Sequence, residues 1–285
     1  MRFGFVVPYA DAREFADIAA LGERQGWDGI FTWEAVWGEH AWITLGAAAM
    51  ATERIRLGTL LTPASRWRPW DLASAVATVD RLSAGRVIMS VGLGAVHEGW
   101  TAFEPDEGRR ARAEKLDECL AIYDGLMRGQ PFAYEGRHYS AKPTDHLVPA
   151  PPAQRPRPPV WVVGSRVVGR AGQPSLRRAA RWDGLLPQFI ENGAARDVRN
   201  PGELADLVSE VLSLRAATGL AAEPFDVVIE GDSTGEFVQL DPPDPAAWEA
   251  AGATWWVESW WTIEPGDAGL AEVRRRVLAG PPLNR

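Results

Sequence analysis

A single cysteine, Cys119, in 285 residues excludes an internal disulfide and points to a reducing compartment. Lysine is almost as scarce, with only Lys115 and Lys142, so the basic charge is nearly all arginine. The four histidines, His40, His97, His138 and His146, show no metal-ligand spacing, and neither C-x-x-C nor H-E-x-x-H occurs. No catalytic metal is therefore expected. No apolar run approaches the length that crosses a bilayer, and "MRFGFVVPYA" reads as a strand rather than a secretory signal, so a cytoplasmic protein is expected. Acid exceeds base, with net charge −8 and a pI near 5.2, which argues against nucleic-acid or anionic-membrane partners.

What the chain does contain is tryptophan, 14 in all, and a regular alternation of apolar runs with helical patterns. "RFGFVVP" reads as a first strand, and the helix that follows has Asp11 as its cap and Gly26 as its stop. Strands at Gly29 to Trp33, Arg54 to Pro63 and "RVIMSVG" alternate with helices, the third bounded by Pro69 and Gly85. A charged helix runs from Arg109 to Arg128 and carries Cys119 as a buried, inert thiol. Residues 131–159 break the rhythm with a hairpin at Tyr134 to Tyr139 and the proline-rich "PAPPAQRPRPP", read as an insertion between the fourth and fifth strands. The alternation then resumes with "VWVVG", "GLLPQF", "FDVVIEG" and "TWWVES". Eight strands without period-two polarity are buried on both faces, as in parallel sheets. The expected fold is an α/β (β/α)8 barrel, one domain over residues 1–285.

In such a barrel chemistry sits at the C-terminal ends of the strands. "VIMSVGLGAVHEGW" ends there with Gly92 and Gly94, but the third glycine of a dinucleotide fingerprint is missing, since the next is Gly99. Glycines at the mouth would let a flat ligand approach the backbone. Trp33, Trp37, Trp67, Trp100, Trp260 and Trp261 are expected near that mouth, an aromatic setting suited to a planar heterocycle.

"ERIRLGTLLTPASRWRPWDLASAVATVDRLSAGRVIMSVGLG" resembles the luciferase-like flavin-dependent oxidoreductases, with "TVDRLSAGR" as the central signature. "RAEKLDECLAIYDGLMRGQPFAYEGRHY", "PPVWVVG" and "LRRAARWDGLLP" extend the resemblance in family order. It implies a homodimer and a reduced FMN, or the deazaflavin coenzyme F420, lying across the strand ends beside Trp33, Thr59, Leu60, Leu61, Gly92 and Gly94. It also implies a non-prolyl cis peptide at Leu60-Leu61. The cofactor phosphate site is implied at Gly164, Ser165 and Arg166 and at the helix start Pro174, Ser175 and Leu176. Free N–H groups and an arginine would attract an anion there. Arg177 and Arg178 read as helix-surface charges.

Many relatives carry an Asp-His pair after the second strand. Here Glu34-Ala35 stands in its place, so the histidine's role does not transfer. Glu34 at the strand end and His97 in "GAVHEGW" are the candidate acid–base residues. The leading expectation is a monooxygenase that receives reduced FMN from a separate flavin reductase and oxygenates an apolar or aromatic small molecule. Its alternative is an F420-dependent dehydrogenase or reductase. A third reading, suggested by Ala35, is a flavin-binding protein without turnover.

Overall fold

The protein is described here by a computed structural model covering residues 1–96, 99–236, 240 and 244–282. The first half runs β1 (Arg2–Val6), α1 (Ala12–Arg24), β2 (Gly29–Thr32), α2 (Ala41–Ala51), β3 (Arg56–Pro63), α3 (Pro69–Leu82), β4 (Val87–Gly92) and α4 (Arg109–Arg128). Two short strands, β5 (Tyr134–Glu135) and β6 (Ser140–Ala141), pair antiparallel in the connection that follows. Next come β7 (Val160–Val167), α5 (Pro174–Ala179), β8 (Gly184–Glu191), β9 (Ala194–Arg196), α6 (Pro201–Ala217), β10 (Asp226–Gly231), α7 (Pro245–Ala250), β11 (Trp255–Glu258) and α8 (Asp267–Leu278). Eight parallel strands in the order β10-β11-β1-β2-β3-β4-β7-β8 close where β8 pairs with β10, giving the (β/α)8 barrel. Among the described residues no helix is long and apolar enough to cross a membrane.

The helix boundaries follow from local chemistry. Asp11 caps α1 by accepting from Arg13 and Glu14 N–H, and Glu14 returns a bond to Asp11 N–H. The signature segment has a structural use. The buried Arg86 guanidinium donates to Ala49 O, Thr52 O and Ile55 O, closing the C-terminal end of α2. Asp80 accepts from Gln154 N and Nε2 and so ties the proline-rich connection to α3.

Two strands run on past their expected ends. The fifth barrel strand, β7, continues past Gly164 to Val167. The sixth, β8, turns back through Asn192 and Gly193 (φ 53° and 83°) into β9, an Asn-Gly hairpin that the sequence reading passed over.

Two cores result from the closed sheet. Strands and helices enclose the larger one. The barrel interior holds the smaller: Val6, Phe31, Leu60, Ile88, Trp161, Leu186, Val228, Trp255 and Val257. Trp161 sits 5.5 Å from the Phe31 ring and 5.2 Å from Trp255, and its indole N–H donates to Asp226 at 3.1 Å. Space for such rings comes from glycine: a Cβ on Gly184 would lie 2.3 Å from Trp161, and one on Gly58 2.8 Å from Phe31. Cys119 is fully buried on α4, and burial pushes its thiol up to about 12. Native protein at pH 8 should therefore leave a disulfide-exchange reagent unreacted, whereas protein unfolded in guanidinium should release one equivalent of chromophore; fast labelling of native protein would contradict this burial.

Candidate functional site

A cavity of about 670 Å³ opens at the C-terminal ends of the barrel strands. Its floor is apolar: Leu60, Leu61, Gly92, Val163 and the indoles of Trp33 and Trp261. The Leu60-Leu61 peptide is cis, where the resemblance put it. It lies in a stretch of β3 whose register against β4 shifts between Thr59 and Thr62. Trp33 is held by a 2.7 Å bond from its indole N–H to Pro8 O.

Glu34 lies on the wall, half-buried. Its Oε1 accepts from Trp67 Nε1 and its Oε2 accepts from the Thr62 hydroxyl at 2.9 Å. Burial pushes the carboxyl above its ordinary range, against the pull of those two bonds and of the Arg66 charge. Thr59, expected beside the cofactor, is fully buried behind this wall, with its hydroxyl donating to Ser90 O at 3.2 Å.

The implied phosphate segment is brought only partly to the cavity. Ser165 and Ser175 line it. They bond to one another, Ser165 N–H donating to Ser175 Oγ at 3.0 Å, and the Ser165 hydroxyl donates to Gln188 Oε1 at 3.0 Å. Gly164 faces away, since a Cβ there would meet Leu185 at 2.3 Å and Leu176 at 3.2 Å. Leu176 is core and Pro174 is exposed. Arg166 is a correction: it pairs with Glu210 (Nη2 to Oε2, 2.5 Å) in a separate groove outside the barrel mouth. The cause is strand pleat, because β7 continues and neighbouring residues 165 and 166 face opposite sides.

The cations that do line the cavity are Arg109, Arg112 and Arg178. Arg178, read from sequence as a surface charge, is buried and holds Asp117 with two bonds of 2.6 and 2.7 Å. Arg177 is exposed, as read. Arg112 contacts Asp106 and lies 5.7 Å from the Trp100 ring, while its Nε is buried without a partner. Arg109 stands at the rim with no carboxylate partner among the described residues. Partial burial, with Arg112 and Arg178 nearby, pulls its pKa down.

Arg109 and Arg112 occupy the start of α4, whose first turn has no acid and whose cap, Gly108, offers no side chain. Cations there oppose the helix dipole, which was the available sequence signal for an anion site. The orphaned Arg112 Nε, and Arg109 without a carboxylate partner among the described residues, fit an anionic oxygen, as the phosphate of FMN or of a deazaflavin would supply.

The two mouth glycines line the cavity and also make room for neighbouring side chains. A Cβ on Gly92 would meet Leu61 at 2.9 Å, and one on Gly94 (φ 78°) would meet Trp100 at 2.5 Å. Among the tryptophans, Trp33, Trp100 and Trp261 line the cavity and Trp67 stands behind Glu34. Trp37 is 85% exposed, and Trp260 is buried outside the barrel, stacked on Phe5 at 6.2 Å. His97 lies outside the described residues. Among those described, no group of three or more His, Cys, Asp or Glu side chains could hold a metal ion.

In a (β/α)8 barrel, an apolar, arginine-edged cavity at the strand ends is where an enzyme of this fold carries its chemistry. The chain belongs to the luciferase-like monooxygenase family, whose sequence profile matches residues 1–261. It is 33% identical over 230 residues to a protein from Beutenbergia cavernae named F420-dependent glucose-6-phosphate dehydrogenase, covering 71% of this chain and 66% of that relative. The fold superposes on the coenzyme F420-dependent tetrahydromethanopterin reductase of Methanopyrus kandleri with a TM-score of 0.72 at 17% identity, covering 96% of this chain and 97% of that one. It also matches the oxygenating constituent of 3,6-diketocamphane monooxygenase from Pseudomonas putida, in complex with FMN. There the TM-score is 0.62 at 17% identity, over 81% of this chain and 67% of that one.

Proposed function

We propose that the protein is an F420-dependent oxidoreductase that moves a hydride between the deazaflavin and a small organic molecule. The observation that carries this is the 33% identity to a relative named for F420 dependence, on a chain whose cavity sets three arginines beside an apolar floor. The deazaflavin reading thereby displaces FMN monooxygenation as the better-supported one. FMN chemistry, with its separate reductase, stays as the second reading because an FMN-bound monooxygenase shares the fold.

When bound, the deazaflavin supplies the hydride acceptor or donor. The side chains do the rest. Arg109, Arg112 and Arg178 would hold the anionic tail; Leu60, Leu61 and Gly92 would support the ring; Trp33 and Trp261 would keep water out. Away from the arginines, the wall offers Tyr9, Trp33, Val36, Leu61 and Trp261. Among the described residues a phosphorylated substrate would find no second cation there. The substrate class proposed is therefore uncharged, apolar or aromatic.

Anaerobic titration of tryptophan fluorescence with oxidised F420 and with FMN, side by side, tests the reading. F420 is expected to bind at least about tenfold tighter. Tighter FMN binding would restore the monooxygenase reading, and oxidation of glucose 6-phosphate would overturn the substrate class.

A homodimer is proposed from the second helix. α2 has no charged residue, and its outer face presents Ile43 (67% exposed) and Met50 (73%) across the small residues Gly46 and Ala47, with Leu82 of α3 alongside. Such a face is normal at a subunit contact and costly in water. Sedimentation is expected to show a particle of twice 31.2 kDa at micromolar concentration, and Ile43→Glu with Met50→Glu should release the monomer. A parent that sediments only as monomer removes the proposal.

A further inference from the structure

We propose that Glu230 is the proton-exchanging carboxylate of this cavity, giving a proton to or taking one from a substrate oxygen as hydride moves; this rests on the deazaflavin reading above. Strand parity places it. Val228 of β10 points into the barrel with Leu186 and Val257, so Glu230, two residues on, points inward one layer higher. β10 pairs with β8 at Asp226–Gly184 and Val227–Leu185, below the level of Glu230. The Trp261 indole, on the cavity wall, donates to Glu230 Oε2 at 2.7 Å.

Its surroundings suit proton exchange better than those of Glu34. Both oxygens of Glu34 accept bonds from fixed donors, Trp67 and Thr62, and Arg66 adds a positive charge. That geometry makes Glu34 an anchor of the wall. Around Glu230 stand Trp261 and the Ser259 hydroxyl, and a charged group that acts on it is Asp197, from the segment before α6. Burial pushes the Glu230 carboxyl up, the Trp261 bond draws it down and Asp197 pushes it further up. A carboxyl so raised holds its proton more readily than an ordinary glutamate, as a proton donor must.

For a secondary alcohol the balance is complete. The carbinol C–H bond breaks and its electron pair leaves as hydride to the oxidised deazaflavin. The O–H electrons form the second C–O bond of the ketone, and the hydroxyl proton passes to the Glu230 carboxylate. Reduction of a ketone by the reduced deazaflavin runs the same steps backwards, with protonated Glu230 as the donor.

The test is a difference infrared titration in deuterated buffer of the protein, Glu230→Gln and Glu34→Gln, with and without oxidised F420. The difference between parent and E230Q should carry a protonated-carboxyl stretch that persists to higher pH than an ordinary glutamate and changes frequency when cyclohexanone is added as a carbonyl probe. The corresponding band should survive in E34Q. Absence of the band from the parent–E230Q difference, or its indifference to cyclohexanone, overturns the proposal. F420 affinity, read by tryptophan quenching, should agree between parent and E230Q within about threefold. A tenfold or greater loss would make Glu230 a cofactor ligand and also overturn it. If none of the three proteins binds F420, the deazaflavin reading fails, while the infrared titration of the cofactor-free protein still decides whether Glu230 exchanges a proton with the cavity. Matching thermal melts of E230Q and parent show that the variant is folded.

Discussion

Arg112→Ala is expected to weaken F420 binding by about 10- to 100-fold while changing folding stability by no more than about 1 kcal/mol. The separation of the two effects is the content of the prediction. In the folded protein the Arg112 guanidinium meets one exposed carboxylate, Asp106, and the face of Trp100, and its Nε has no partner. Little native structure depends on it, because an ion pair to a solvent-exposed carboxylate contributes between nothing and about 1 kcal/mol. A bound phosphoryl oxygen would meet that Nε in a side chain only 12% exposed, where a charge-assisted bond is strong. Arg109→Ala should act in the same direction more weakly, since its rim position leaves it hydrated, and should flatten the salt dependence of binding. Arg112→Lys should recover charge but not the planar fork, and so restore only part of the affinity. Equilibrium titration at two ionic strengths with a parallel urea melt measures all of this. Lost stability with unchanged affinity would make the arginine cluster part of the fold rather than of a ligand site.

The largest stability effect is expected inside the barrel. Trp161→Ala should cost about 3–5 kcal/mol in urea unfolding, the usual toll of emptying a large aromatic site. The residue is fully buried between Phe31 and Trp255, and its removal also strips Asp226 of an indole donor. Gly184→Ala should be severe on its own, because its Cβ would stand 2.3 Å from the Trp161 ring and neither strand can yield. In the Trp161→Ala background the same methyl group enters vacated space. The double variant should therefore be more stable than the two single losses summed would give, and the sign of that coupling is the readout. Additive losses would mean that Gly184 is needed for its backbone rather than for the indole beside it.

Parts of the site were readable before the fold was known, and the missing parts have identifiable reasons. The strand ends were located correctly at Trp33, Glu34, Leu60, Leu61, Gly92 and Gly94, all of which line the cavity. The arginines that line the cavity are not the one the sequence points to. Ending the fifth strand at Gly164 turned Arg166 into a loop residue free to reach the mouth, whereas three further strand residues lock it to the opposite face, against Glu210. Arg178 was read as surface charge because a helix phase counted from sequence does not reveal that Asp117 of α4 packs against it. Glu230 was visible as a strand end, but the bond from Trp261 joins residues thirty-one positions apart and exists only once β10 and β11 are side by side.

Composition, spacing and caps by themselves determined the barrel class, the order of strands and helices, and the exclusion of disulfide chemistry, because these rest on interactions within a few residues along the chain. Alternating apolar runs demand a sheet buried on both faces whatever their neighbours are. Only the tertiary structure decided which side chains share the cavity: Arg112 rather than Arg166, and Trp261 but not Trp260. That choice depends on pleat parity and helix phase. A shift of one residue in either turns a side chain to the other face while leaving the hydrophobic pattern almost unchanged.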